Sequence, residues 1–207
     1  MYTAGGSLET FQTECLQFDD RNFKMGIELE LICSVFDSLQ WDENYLHCTD
    51  DVSLRWAGRW VGGVGFEFVT RPDSAQVHVR ELGRFLAKNK FWTSYACGMH
   101  VHVDRSQLGE AALSCLADRI FDERRKNYYS KYVFRRLPNE FCSYKRERMR
   151  DWIYGNFCAI NAGWPRTVEI RWFSGCADIR KIKRRLEWVN ALCAWAKRKA
   201  TVAARKH

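Results

Sequence analysis

The sequence predicts an α+β fold in which an antiparallel sheet has one apolar and one polar face and helices complete the core. Two observations predict it. Four segments alternate apolar residues with Glu, His or Arg: Gly26-Ile27-Glu28-Leu29-Glu30-Leu31, Gly65-Phe66-Glu67-Phe68-Val69, Cys97-Gly98-Met99-His100-Val101-His102-Val103-Asp104 and Val168-Glu169-Ile170-Arg171-Trp172-Phe173. Successive side chains of a strand point to opposite faces, so His100, His102 and Asp104 share one face and Met99, Val101 and Val103 the other. Elsewhere apolar residues recur every three or four positions, the spacing of a helix face: Val79, Leu82 and Leu86, then Leu108, Ala112, Leu116 and Ile120, then Ile182, Leu186, Val189 and Cys193.

Alternation alone describes any antiparallel sheet with a solvated face. The chemistry of this polar face is different. Asp and Glu are depleted in strands, yet carboxylates, imidazoles and a guanidinium fill the polar positions of all four segments. Carboxylates on neighbouring strands repel one another and lift their own pKa values unless cations lie between them. A cluster of divalent cations answers that repulsion.

Taken in order, residues 1–22 form a polar N-terminal lead-in, 23–200 a single domain and 201–207 a basic tail. A first strand runs from near Phe23 to about Val35. The stretch 37–51, with Asp37, Asp42, Glu43, Trp41, Tyr45 and Leu46, reads as a short helix or ordered loop closed by Asp51-Val52-Ser53. Trp56 to Trp60 suggests a short strand, and the turn Gly62-Gly63-Val64-Gly65 delivers Glu67. Those glycines are not a phosphate loop, because no Lys-Ser or Lys-Thr follows and the next element is a strand. Pro72-Asp73-Ser74 starts a helix that reaches about Lys88. Ser106 is placed to cap the helix through Ile120. From Arg124 to Arg136 the chain is basic and aromatic, with a short helix expected around Tyr144 to Tyr154. Phe157 to Asn161 and the strand bearing Glu169 and Arg171 flank the turn Gly163-Trp164-Pro165, a hairpin pattern. Asp178 caps the last helix, and the chain from Lys197 is expected to fray.

A chain of 207 residues can bury roughly 70% of its unfolded surface in one core. It has nine Cys, an odd number, with no C-x-x-C pair. No charged segment followed by an apolar one stands at the start, so a cytoplasmic location is expected. No apolar run approaches the length of roughly 18 residues that crosses a bilayer, so no membrane partner is expected. Charge is unevenly divided. Residues 1–118 hold 10 Lys/Arg against 17 Asp/Glu, net −7, and residues 119–207 hold 23 against 8, net +15. An acidic metal-binding half joined to a basic half suits an acidic substrate, and nucleic-acid binding explains the basic half equally well.

With these segments in place, the chain resembles the amidoligase family, small relatives of the glutamine synthetase and glutamate-cysteine ligase superfamily of carboxylate-amine ligases. The matching pieces occur in the family's order: Gly26 to Glu30, Asp51-Val52-Ser53, Gly65 to Val69, Cys97 to Asp104, Arg136 with Asn139 to Cys142, Ala159-Ile160-Asn161 and Thr167 to Phe173. They span residues 23 to about 195. The resemblance implies a curved antiparallel sheet with helices packed on one face, like the glutamine synthetase catalytic domain. It also implies ATP and Mg²⁺ as cofactors, with an acyl phosphate attacked by an amine on a peptide, protein or other amino-bearing polymer. Glu28, Glu30 and Glu67 would then hold one ion, with His100 and Glu169 completing another. His102 would meet the nucleotide, Arg171 the transferred phosphoryl group, and Arg136 a phosphate. Asp51 would orient or deprotonate the amine, and Asn161 would position the acceptor. Asp51 reads equally as a helix cap or turn residue, Arg136 as a solvated charge, and Asn161 as a plain strand-end residue.

Phosphotransfer of the guanidino-kinase type is a second enzymatic reading, and a basic nucleic-acid-binding protein that keeps the fold without ligase activity a third. A zinc site on Cys97, His100 and His102, or a Cys97–His nucleophile, meets a geometric objection. Cys97 stands at odd spacing from the two histidines and points away from them.

Overall fold

The computed structural model describes residues 23–34, 39–49, 54, 62–122, 142, 149–150 and 158–205. Asp51, Arg136, the lead-in, the strand expected at Trp56 to Trp60, the basic aromatic stretch and most of 144–154 lie outside them.

The described fold is α+β. Strands β1 (Met25–Cys33), β2 (Leu46–Thr49), β3 (Val64–Thr70), β4 (Gly98–Asp104), β5 (Ile160–Asn161) and β6 (Thr167–Ser174) form one sheet in the order β2-β3-β1-β4-β6-β5. Every pairing is antiparallel. Helices α1 (Ala75–Lys88), α2 (Arg105–Leu108), α3 (Glu110–Ile120) and α4 (Ile179–Ala204) complete it.

The apolar half of the alternation builds the core. Ile27, Leu29, Leu31, Phe68, Met99, Val101, Val168 and Ile170 are buried together with Leu82 and Phe85 of α1, Leu113 and Leu116 of α3, and Ile182, Leu186 and Val189 of α4. Each such side chain stabilises the fold by about 1.5–3 kcal/mol. Among the described residues no helix is long and apolar enough to cross a membrane.

Four details differ from the sequence expectation. The stretch 37–51 contains the edge strand β2 rather than a helix. Asp104, not Ser106, caps the helix after β4, its carboxylate accepting the Ser106 N–H. That helix is broken at Gly109, whose φ of 78° lies in the left-handed region that only glycine adopts without strain. Finally, α4 remains helical to Ala204 instead of fraying from Lys197, because Lys197 anchors to the Gln107 carbonyl and Ala196 is fully buried.

One core polar group gives a pH prediction. His78 of α1 is fully buried, its Nε2 2.6 Å from the Met25 carbonyl and its Nδ1 2.5 Å from the Tyr45 hydroxyl. Nε2–H donates to the carbonyl while Tyr45 O–H donates to Nδ1, which fixes a neutral imidazole. Burial lowers its pKa, against the Met25 bond and the Asp73 charge. The unfolded chain therefore takes up a proton near pH 6.5 that the folded one resists. The His78 contribution to stability is complete above that pH and is lost as pH falls toward the folded value. Urea midpoints measured from pH 8 to 5.5 will fall more steeply for wild type than for His78→Phe; parallel slopes would refute the assignment.

Candidate metal centre

The polar half of the alternation converges because register aligns it. Glu30 stands directly opposite Glu67, Glu28 opposite His100, Gly26 opposite His102, His102 opposite Glu169, and Glu169 opposite Asn161. A row of carboxylates and imidazoles thus crosses four strands on the face away from the core, and Asn161 of β5 extends it to a fifth.

Glu28 is its centre. Its Oε2 accepts a hydrogen bond from His100 Nδ1 at 2.8 Å, and its Oε1 lies 2.8 Å from His102 Nε2, out of line for a hydrogen bond. Among the described residues two groups have ligand atoms close enough to surround an ion: Glu28, Glu67 and His100, and Glu28, His102 and Glu169. Glu28 belongs to both. His100 stands beside Glu67 in one group and Glu169 beside His102 in the other, and His100 Nδ1 also lies 3.4 Å from Glu169 Oε1. Glu30 is in neither group; its Oε2 accepts the Gly98 backbone N–H and its Oε1 lies 3.7 Å from His100 Nε2.

Neighbouring residues orient these groups. Thr49 Oγ1 donates to Glu67 Oε1 at 3.1 Å, and Asn161 Nδ2 donates to Glu169 Oε2 at 3.0 Å. Arg171 Nη1 donates to Glu169 Oε1 at 2.5 Å. Asn161 also accepts the Gly163 N–H, so both ends of its amide hold the site's own frame. His102 Nδ1 lies 3.4 Å from Thr167 Oγ1. No sequence pattern marks Thr49 or Thr167. The four-residue β2 is too short to display a period, and Thr167 opens its strand.

A β-bulge shapes the β6 side. Met99 pairs with Phe173 but Val101 pairs with Ile170, so Arg171 and Trp172 together face His100. The extra residue returns Phe173 to the core, where its ring meets Trp188 edge-on at 6.2 Å. Cys97 is fully buried and packs with Ile32 and Leu54.

The electrostatics suit cations. Burial would raise the Glu28 pKa, but its close contacts with His100 and His102 and their charges outweigh it and hold the carboxyl well below the usual range. Burial, followed by the Glu28 charge, pushes Glu67 up to about 7, against the hydrogen bond from Thr49. Burial would lower His102, yet the adjoining Glu28 and then Glu169 raise it. His100, its side chain only 3% exposed, has no hydrogen-bond partner for Nε2. The tautomer that donates from Nδ1 to Glu28 leaves a bare lone pair there, the form that ligates metals. The donor set and this orphaned nitrogen both fit a divalent ion.

A cavity of about 650 Å³ opens beside His102. Gly26, Pro72, Pro165 and Thr167 line it with Lys24, Arg105 and Arg166. Gly26 occupies a polar-face position, and a Cβ there would stand 3.7 Å from His102 Cβ, so the missing side chain opens the floor. Compared with family models and with curated proteins, the chain matches none.

Proposed function

We propose that the chain is an ATP- and Mg²⁺-dependent carboxylate-amine ligase with a glutamine synthetase-like fold, forming an amide through an acyl phosphate. The observation that carries this reading is the sharing of Glu28 between two carboxylate-imidazole groups, with Arg171 held on the same row. Glu28, Glu67, His100 and Glu169 would hold Mg²⁺. When bound, the ion neutralises charge on the nucleotide phosphates. The cavity beside His102 lies within the usual range for small-ligand sites, roughly 300–1,000 Å³, and takes the nucleoside of ATP. A substrate carboxylate oxygen attacks the γ-phosphorus, and the bond to ADP breaks. Arg171 presents its planar guanidinium to the transferred phosphoryl oxygens. The amine nitrogen then attacks the acyl carbon, phosphate leaves, and Asp51 receives the proton. Arg136 is assigned to a phosphate, and Asn161 keeps Glu169 in register.

The test is calorimetric titration of ATP with and without Mg²⁺, followed by ADP release across a panel of carboxylates, amino acids and peptides. The ligase reading expects ATP binding only with the ion and ADP release that depends on an amine. ADP accompanied by a stable phosphorylated acceptor would move the assignment to a guanidino-type phosphotransferase. Absence of both binding and release would reject it. A nucleic-acid or acidic-polymer role draws support from the exposed Arg180, Lys181, Lys183 and Arg184 of α4, and salt-insensitive or absent DNA and RNA binding excludes it. The two roles are compatible in a ligase that acts on an acidic polymer.

A further inference from the structure

We infer that the cavity between residues 39–46 and α1 is a second binding site, for a short peptide with free ends and an apolar or aromatic side chain. The cavity measures about 570 Å³, within the usual range for small-ligand sites of roughly 300–1,000 Å³. It is built rather than incidental, because the segment 39–46 is pinned to α1 at both ends. At one end Asn89 accepts the Gln40 N–H at 2.9 Å and donates to the Gln40 and Phe85 carbonyls, each at 2.8 Å. At the other, the Tyr45 hydroxyl meets His78 of α1. Between them the Asp42 carbonyl accepts the N–H groups of Tyr45 and Leu46. An arch held this way stands open before a ligand arrives, which lowers the ordering cost of binding.

The lining names the ligand. Leu39, Leu46 and Phe85 supply an apolar wall, and Trp41 stands edge-on to Phe68 at 6.3 Å. Five charged side chains complete it. Three are spent within the protein: Asp42 accepts the Asn44 N–H of its own turn, and Glu81 holds Arg84. The other two are Glu43 on the arch and Lys88 at the end of α1. Both are exposed and neither has an ion-pair partner among the described residues. An apolar wall with one spare anion and one spare cation on facing elements complements a molecule with an apolar middle, an ammonium at one end and a carboxylate at the other. A short peptide has that form. A free amino acid carries both charges on one carbon, and a phosphate ester would meet three carboxylates. Leu46 and Phe85 belong to the core on the helix side of the sheet, so a peptide held here is an effector or anchor, separated by the sheet from Glu28.

This site needs neither metal nor nucleotide, so it stands or falls apart from the ligase reading. The tripeptide Ala-Phe-Ala is titrated into the whole chain and followed by backbone amide NMR shifts. Shifts are expected in residues 39–46 and 81–88. Exchanging the central Phe for Gly should weaken binding roughly tenfold or more. Amidating the carboxyl end or acetylating the amino end should each cost up to about fivefold, the upper range for an exposed ion pair. The two losses should be specific: amidation costs nothing further in Lys88→Ala, and acetylation nothing further in Glu43→Gln. Both positions are exposed, so the variants keep the fold, which circular dichroism checks. The assignment is overturned by a tripeptide that moves no amide of the arch or of α1 at millimolar concentration. Free Phe binding as tightly as the tripeptide, or end-blocking losses that persist in both variants, would overturn it as well.

Discussion

Glu28→Gln is expected to abolish ion binding at both positions at once and to lower turnover roughly 10³-fold or more. Glutamine keeps the shape of the side chain but offers one neutral oxygen and a donor where the ions need two anionic oxygens. Among the described residues Glu28 alone belongs to both ligand groups. The readout is thermal unfolding with and without Mn²⁺. An ion held at 100 times its Kd stabilises by about 2.7 kcal/mol, which for a chain of this size is on the order of 5–10 °C. Wild type will show that rise and Glu28→Gln will not. In metal-free buffer the variant loses about 1–3 kcal/mol, the cost of breaking charge-assisted contacts of a buried group, because His100 and His102 both lose their anionic partner. A variant whose melting temperature still rises with Mn²⁺ would remove Glu28 from the centre of the site.

The polar face was readable because a period of two is a local property. Glu28 and Glu30, or His100 and His102, must share a side of their strand whatever the rest of the chain does. Which ligands meet is not local. That Glu67 meets Glu30, His100 meets Glu28 and Glu169 meets His102 follows from cross-strand register, and register depends on how four separated strands slide against one another. The β6 bulge illustrates the limit further. Strict alternation puts Phe173 on the same face as Glu169 and Arg171, and only the two-for-one pairing against His100 returns it to the core. Caps were readable where one side chain meets one turn, as at Ser74 and Asp178. After β4 the sequence pointed to Ser106, and the chain uses Asp104, two residues earlier, because the helix begins at once from the strand. Strand β2 stayed hidden because four residues, Leu46 to Thr49, carry no measurable period.

Arg171→Lys separates chemistry from metal binding. Arg171 is no member of either ligand group, so the variant should still bind the divalent ion and still gain thermal stability from it. Its expected loss is in turnover, roughly 10³-fold, the lower range for removing a guanidinium from a phosphoryl-transfer site, with little change in the KM for ATP. The reason is geometric. Nη1 of Arg171 is engaged at 2.5 Å with Glu169 Oε1, and its side chain keeps 17% of its surface exposed. A guanidinium holds Glu169 with one edge while presenting other N–H groups to a phosphoryl oxygen. An ammonium is a single point of charge and must abandon one partner to reach the other. A lysine variant with turnover within tenfold of wild type would show that only charge is needed there and would release Arg171 from the phosphoryl group.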